Sequence, residues 1–274
     1  MNKQILFVCA GSEFPQGAFN FLLQMQQEEQ VSVLGLFFSP TDYEAIATAS
    51  QLPIQGPYDR VMEKAREVVA ANKALFAKQC DQHYIRYQMH ENDNHWDKNI
   101  LVKESRYADV ILLSGEMFYA DINLGQPDGC LREALRAAEC PLLVIPENYQ
   151  QCDHLFFAFD GSKESVFAMK QFGYLFPQFT DLPAEVVYVK DEISNTIPDL
   201  EHLRRYARLH FESMGFSKLH FTASRNFANW IGEHKQVMLV TGSYGRSSFS
   251  YLGKRSFAEQ VVHDHKIPVF ICHA

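Results

Sequence analysis

The stretch VMLVTGSYGRSSFSYLGKRS, Val237–Ser256, decides how this chain is read. It opens on a fully apolar run, Val237–Val240, turns through Gly242 and Gly245 into a serine-rich loop, and closes at Ser256. There SFAEQVV begins a helical pattern, with Ser256 and Glu259 spaced as a capping box. The order is strand, glycine loop, helix start. In parallel α/β folds anions settle at such a junction, because free backbone N–H groups and the helix dipole converge on it. Gly242 and Gly245 permit a sharp turn and close approach to a ligand, and Ser247, Ser248, Ser250 and Ser256 add hydroxyls. The same composition also serves a plain strand-to-helix turn. It is not a Walker A loop, since Gly253-Lys254 is followed by Arg255 rather than Ser or Thr.

Working outward, the segment belongs to a repeat. Ala108–Gly115 (ADVILLSG) aligns with Gln236–Gly242, Cys140–Pro146 (CPLLVIP) with Ile267–His273, and Ile5–Gly11 (ILFVCAG) with Leu155–Gly161. The offset is 150 residues for the first strand and 127 for the last, so the first half carries about 20 more residues, assigned to Thr41–Pro57 and the helix after it. Each half reads β-α-β-α-β-α-β-α-β. In the first, strands are expected at Gln4–Ala10, Val31–Phe38, Tyr84–Met89, Asp109–Leu113 and Pro141–Ile145. In the second they are expected at His154–Phe159, Glu185–Val189, Lys218–Thr222, Val237–Thr241 and Pro268–Cys272, with a long helix over Asp199–Met214. Strands alternating with helices predict a parallel, doubly wound sheet in each half, with right-handed crossovers. The predicted division is 1–148 and 149–274, joined by the short linker Glu147–Asp153.

The totals bound the function. The chain has 274 residues, a net charge of −8 and 47% apolar residues. An acidic chain without basic clusters argues against a nucleic-acid binder. No apolar run approaches the roughly 18 residues of a membrane span, and Ile5–Ala10 is too short for a signal-peptide core. The six cysteines form no C-x-x-C pair, and Cys9 and Cys272 sit in apolar strand runs, as expected of a reduced cytoplasmic protein. There is no G-x-S-x-G elbow and no G-x-G-x-x-G after a strand. His90, Glu91, Asp93, His95 and Asp97 crowd one loop, which reads either as a metal site or as a solvated loop with Asp93 or Asn94 capping the next helix.

With the tandem halves, the strand ending in Asp160-Gly161-Ser162, and the late loop Gly242-Ser-Tyr-Gly245 followed nine residues later by Arg255-Ser256, the chain resembles the universal stress proteins. The resemblance spans the whole chain in architecture and is good in motif detail only in the second half. It implies two Rossmann-like, adenine-nucleotide α-hydrolase-like domains packed as a pseudo-dimer through their last strands. It also implies an adenine nucleotide, ATP above all, with Mg²⁺. On that basis Asp160 and Gly161 would face the adenosine and Val189 would flank the adenine. Gly242, Gly245, Arg246, Ser247, Ser248 and Ser256 would wrap the phosphates. Arg255 stands where the family has a third glycine, and would either salt-bridge a phosphate or close the pocket by its bulk. In the first half Ala10 replaces the aspartate, and the loop Gly115–Tyr119 lacks the second glycine while Glu116 and Asp121 would repel phosphate. That half reads as a degenerate copy. No general base is visible beside the phosphate loop, so any catalysis would be at most slow ATP hydrolysis. The alternative reading is a stress protein that binds no nucleotide and acts through protein contacts, alone or as a further homodimer.

Overall fold

The structure, a computed structural model, describes residues 2–39, 56–91, 97–114, 134–189, 196–219, 230–231, 234, 236–242 and 267–273. The chain forms two compact units, Met1–Glu139 and Cys140–Ala274. Each is α/β.

In the first unit the strands are β1 (Lys3–Ala10), β2 (Val31–Phe38), β3 (Arg86–Met89) and β4 (Val110–Ser114), in the order β3-β2-β1-β4. All pairings among them are parallel. The helices are α1 (Gln16–Glu28), α2 (Gly56–Gln82) and α3 (Lys98–Ser105). A parallel strand covered on both faces has no solvent side, so its sequence runs apolar without alternation. The run VILLS of β4 is buried at every position. Phe7 of β1 meets Phe19 of α1 at 6.0 Å and Phe76 of α2 at 5.3 Å, which fixes both helices on one face.

The second unit holds β5 (Leu142–Ile145), β6 (His154–Phe159), β7 (Ala184–Val189), β8 (Met214–Leu219), β9 (Val237–Thr241) and β10 (Val269–Ile271), in the order β5-β10-β9-β6-β7-β8. Its helices are α4 (Lys163–Leu175) and α5 (Leu200–His210). The order β8-β7-β6-β9 repeats β3-β2-β1-β4 strand for strand, as expected of a duplication. Successive residues of β6 point to opposite faces. Phe157 packs on Phe172 of α4 and on Phe211 at the end of α5, while Phe156 packs on Trp230 and His234. The sheet is therefore covered on both sides, the doubly wound arrangement that the alternation of strands and helices predicts.

The last strand of the first repeat, β5, lies in the second unit because it pairs with β10, Leu143 opposite Phe270 and Val144 opposite Val269. The ladder is antiparallel, whereas β10 runs parallel to β9.

Four expectations are corrected. The helix predicted over Asp199–Met214 ends at His210, and the strand predicted at Lys218–Thr222 begins at Met214. Leu203, Ala207 and Met214 continue a helical stripe in the sequence. Pairing of Met214–Leu219 with all six residues of β7 outweighs that periodicity. The third strand begins at Arg86, because Tyr84 adopts φ 56° and ends the preceding helix. Helix α3 is capped by Asp97, whose carboxylate accepts the Asn99 N–H at 2.8 Å, rather than by Asp93 or Asn94.

Candidate functional site

In a doubly wound sheet the ligand crevice lies at the carboxyl ends of the strands, where successive connections leave in opposite directions. In the second unit β6 stands between β9 and β7, so that switch point falls between the ends of β6 and β9. Phe157 of β6 is in register with Val240 of β9. Both strands therefore deliver their next residues, Asp160-Gly161-Ser162 and Gly242, to the same edge.

The turn after β6 is built by its own side chains. The half-buried Asp160 accepts the Ser162 N–H at 2.9 Å. Gly161 has φ +84°, a conformation open to glycine at little cost. Ser162 caps α4, its Oγ accepting the Ser165 N–H at 3.2 Å. The Ser165 hydroxyl in turn donates to the Ser162 carbonyl at 2.8 Å. Across the turn lies Pro198, from the connection between β7 and α5. A Cβ on Gly161 would stand 3.4 Å from the Pro198 Cγ.

Gly242 is glycine for a different reason. A Cβ there would lie 2.2 Å from both the Glu164 carbonyl carbon and oxygen and 2.4 Å from the Ser165 nitrogen. The end of β9 thus rests directly on the first peptide planes of α4. Val189 ends β7 opposite Leu219. Of the predicted site residues, Asp160, Gly161 and Gly242 converge on one edge with the amino end of α4. Gly245, Arg246, Ser247, Ser248, Arg255 and Ser256, with the capping box at Ser256 and Glu259, lie outside the described residues.

Glu164, Ser165 and Pro198 were not among the predicted site residues. The Ser-x-x-Ser spacing of Ser162 and Ser165 signals a capped helix start. Nothing in the sequence signals the backbone contact of Glu164 or the crossing of Pro198, which depend on tertiary approach.

The corresponding edge of the first unit is different. β1 ends at Ala10, and α1 starts after Pro15 with no side-chain cap. Phe14 fills the intervening turn, stacking on Phe7 at 5.9 Å and tilting against Phe19 at 5.7 Å. Ser114, at the end of β4, is fully buried, and its hydroxyl has no hydrogen-bond partner among the described residues. The loop from Gly115 to Asp121 lies outside the described residues.

Among the described residues no group of three or more His, Cys, Asp and Glu side chains is placed to hold a metal. His90 Nε2 lies 3.5 Å from the Glu104 carboxylate. Cys9 of β1 is buried among core residues, as are Cys80, Cys152 and Cys272. No helix among the described residues is long and apolar enough to cross a membrane.

No family model matches this sequence, and no curated protein matches it. Solved structures do. A universal stress protein from Archaeoglobus fulgidus superposes with a TM-score of 0.68 at 18% identity, over 99% of this chain and 96% of that one. The fold is that of a tandem universal stress protein. A functionally unknown protein from Pseudomonas aeruginosa PAO1 gives a TM-score of 0.59 at 11% identity, over 99% of this chain and 92% of that one. A protein from Pseudomonas aeruginosa UCBPP-PA14 described as a universal stress protein gives 0.56 at 11% identity, over 99% and 93%. Sequence similarity this low carries the universal-stress fold and its full-length tandem organisation, and leaves the site to be argued from its own residues.

Proposed function

We propose that this chain is a universal-stress-type regulatory binding protein whose second domain, 149–274, holds an adenine nucleotide, ATP with Mg²⁺ as the first ligand to test. The observation that carries the reading is the convergence of Asp160 and Gly242 at the topological switch point between β6 and β9, beside the amino end of α4. A carboxylate at a strand end can accept from ribose hydroxyls. The N–H groups of a helix start and of a glycine loop suit phosphate oxygens. In this reading Asp160, Gly161 and Val189 line the nucleoside side, and Gly242, Gly245, Arg246, Ser247, Ser248, Arg255 and Ser256 line the phosphate side. Domain 1–148 is a degenerate copy, consistent with Ala10 in place of the aspartate and with Phe14 packed into the turn. The antiparallel ladder of β5 with β10 supports reading the duplicated chain as an intramolecular pseudo-dimer. Sedimentation measurements test for a further homodimer. The protein is proposed to work in the cytoplasm as a binder rather than an enzyme.

A second reading is favoured by Gly242 itself. Its lack of a side chain is demanded by contact with α4, so that glycine alone does not vouch for a ligand. The protein would then act through its surfaces, with Arg255 closing the crevice. Calorimetric titration with ATP and Mg²⁺ separates the two. The nucleotide reading expects a saturable heat at one site per chain that Asp160→Ala abolishes. No heat at millimolar ATP leaves the surface reading. A gain of affinity in Arg255→Gly identifies that guanidinium as the obstruction.

A further inference from the structure

Two glycines meet the start of α4 from different strands. Gly161 supplies a backbone conformation, at φ +84°. Gly242 supplies an absence of volume. The atoms a Cβ at 242 would strike, 2.2 Å away at the Glu164 carbonyl and 2.4 Å away at the Ser165 nitrogen, are backbone and cannot swing aside as a side-chain tip can. The same Ser165 N–H is held by the Ser162 hydroxyl, and the Ser162 N–H by Asp160. A continuous chain of contacts therefore runs from Asp160 through Ser162 and Ser165 to Gly242, the first residue of the glycine loop.

We infer that Gly242 is a positioning residue, locking the end of β9 to the Asp160–Ser162 turn through the first peptide planes of α4. As regulation of the ligand site, this rests on the nucleotide reading above; the mechanical coupling does not. The end of β9 and the turn move as one body. Strain at Gly242 is sensed at the Ser162 cap, and loosening the cap loosens Gly242.

A double-mutant cycle on the full chain tests this. Ser162→Ala removes a helix cap and should lower the melting temperature of the parent by about 2–4 °C. In a Gly242→Ala background, where the first turn of α4 has already been pushed away, the same change should lower it by less than half as much. Additive losses overturn the coupling. Should Gly242→Ala not fold, Ser162→Ala alone decides by hydrogen exchange. The amide of Gly242, which has no bond to Ser162, should exchange about tenfold faster than in the parent. Unchanged exchange there overturns the coupling, and a change confined to Ser165 does so too. ATP calorimetry run beside the cycle keeps the two readings apart. Non-additive losses without ATP heat sustain the coupling and remove only the nucleotide. ATP heat with additive losses does the reverse.

Discussion

Gly161 turns at φ +84° directly beneath Pro198, whose Cγ would stand 3.4 Å from a Cβ at 161. Gly173, inside α4, has ordinary helical surroundings, where a Cβ would meet the Phe211 ring at 3.7 Å. The two positions respond oppositely to alanine. Gly161→Ala forces an L-residue into left-handed backbone and should cost about 1–2 kcal/mol. Gly173→Ala removes helix-interior glycine without a clash and should gain about 0.5–1 kcal/mol. Urea midpoints of the two variants check this. A loss at both positions would mean that α4 tolerates no added volume on that side.

How much of this was legible in the sequence follows from the reach of each interaction. The apolar runs of β1, β4, β6 and β9 are buried on both faces and could be read directly, and Val237–Thr241 matches its predicted strand to the residue. Asp160-Gly161-Ser162 was legible because the turn is made by residues two and three apart. The end of α5 was not, because the stripe through Leu203 and Ala207 continues to Met214, and only pairing with β7 reveals the strand. The role of Gly242 was half legible. The glycine could be seen, but whether it makes room for a ligand or for Glu164 is decided by a helix start 78 residues away in sequence.

Phe270 shows where the stability of the second unit is concentrated. It is fully buried, packs edge-on against Phe172 at 5.3 Å and Phe176 at 5.9 Å, and sits on the strand that joins β5 to β9. Phe270→Ala leaves a cavity in a region that cannot collapse without breaking two ladders. It should cost about 3–5 kcal/mol, against less than about 0.5 kcal/mol for Leu209→Ala at a site 75% exposed. Chemical denaturation of both variants measures the difference.

The buried thiols set an alkaline limit on stability. Burial pushes Cys80, Cys152 and Cys272 up from 9.0 to about 12. Above about pH 9 the unfolded chain releases these protons while the folded chain retains them, so the unfolded state binds fewer protons and stability falls as pH rises. The stabilising difference is intact below about pH 9 and is lost progressively toward pH 12. The Tyr206 phenol, raised by burial from 10.0 to about 12, acts in the same direction. Denaturation midpoints should drop between pH 8.5 and 10.5, and Cys152→Ala should make that drop shallower. Equal slopes in parent and variant would place the alkaline loss elsewhere.

Tyr84 closes α2 in a way its residue type does not suit. The Ile85 N–H donates to the Cys80 carbonyl at 2.9 Å and the Tyr84 N–H to the Asp81 carbonyl at 3.3 Å. That pair of bonds, with φ 56° at Tyr84, is a Schellman ending, and the residue at its centre is normally glycine. The Tyr84 side chain is 91% exposed, so it contributes little packing to offset the left-handed backbone. Ile85 and Cys80, buried on either side of the turn, hold the geometry instead. Tyr84→Gly relieves the steric cost but loosens the unfolded chain, and the balance should be a gain of about 0.5–1 kcal/mol. Tyr84→Ala, which keeps the Cβ, should gain nothing. A thermal unfolding series of the three proteins checks the order. If alanine stabilises as much as glycine, the benefit comes from removing the exposed ring and not from the backbone.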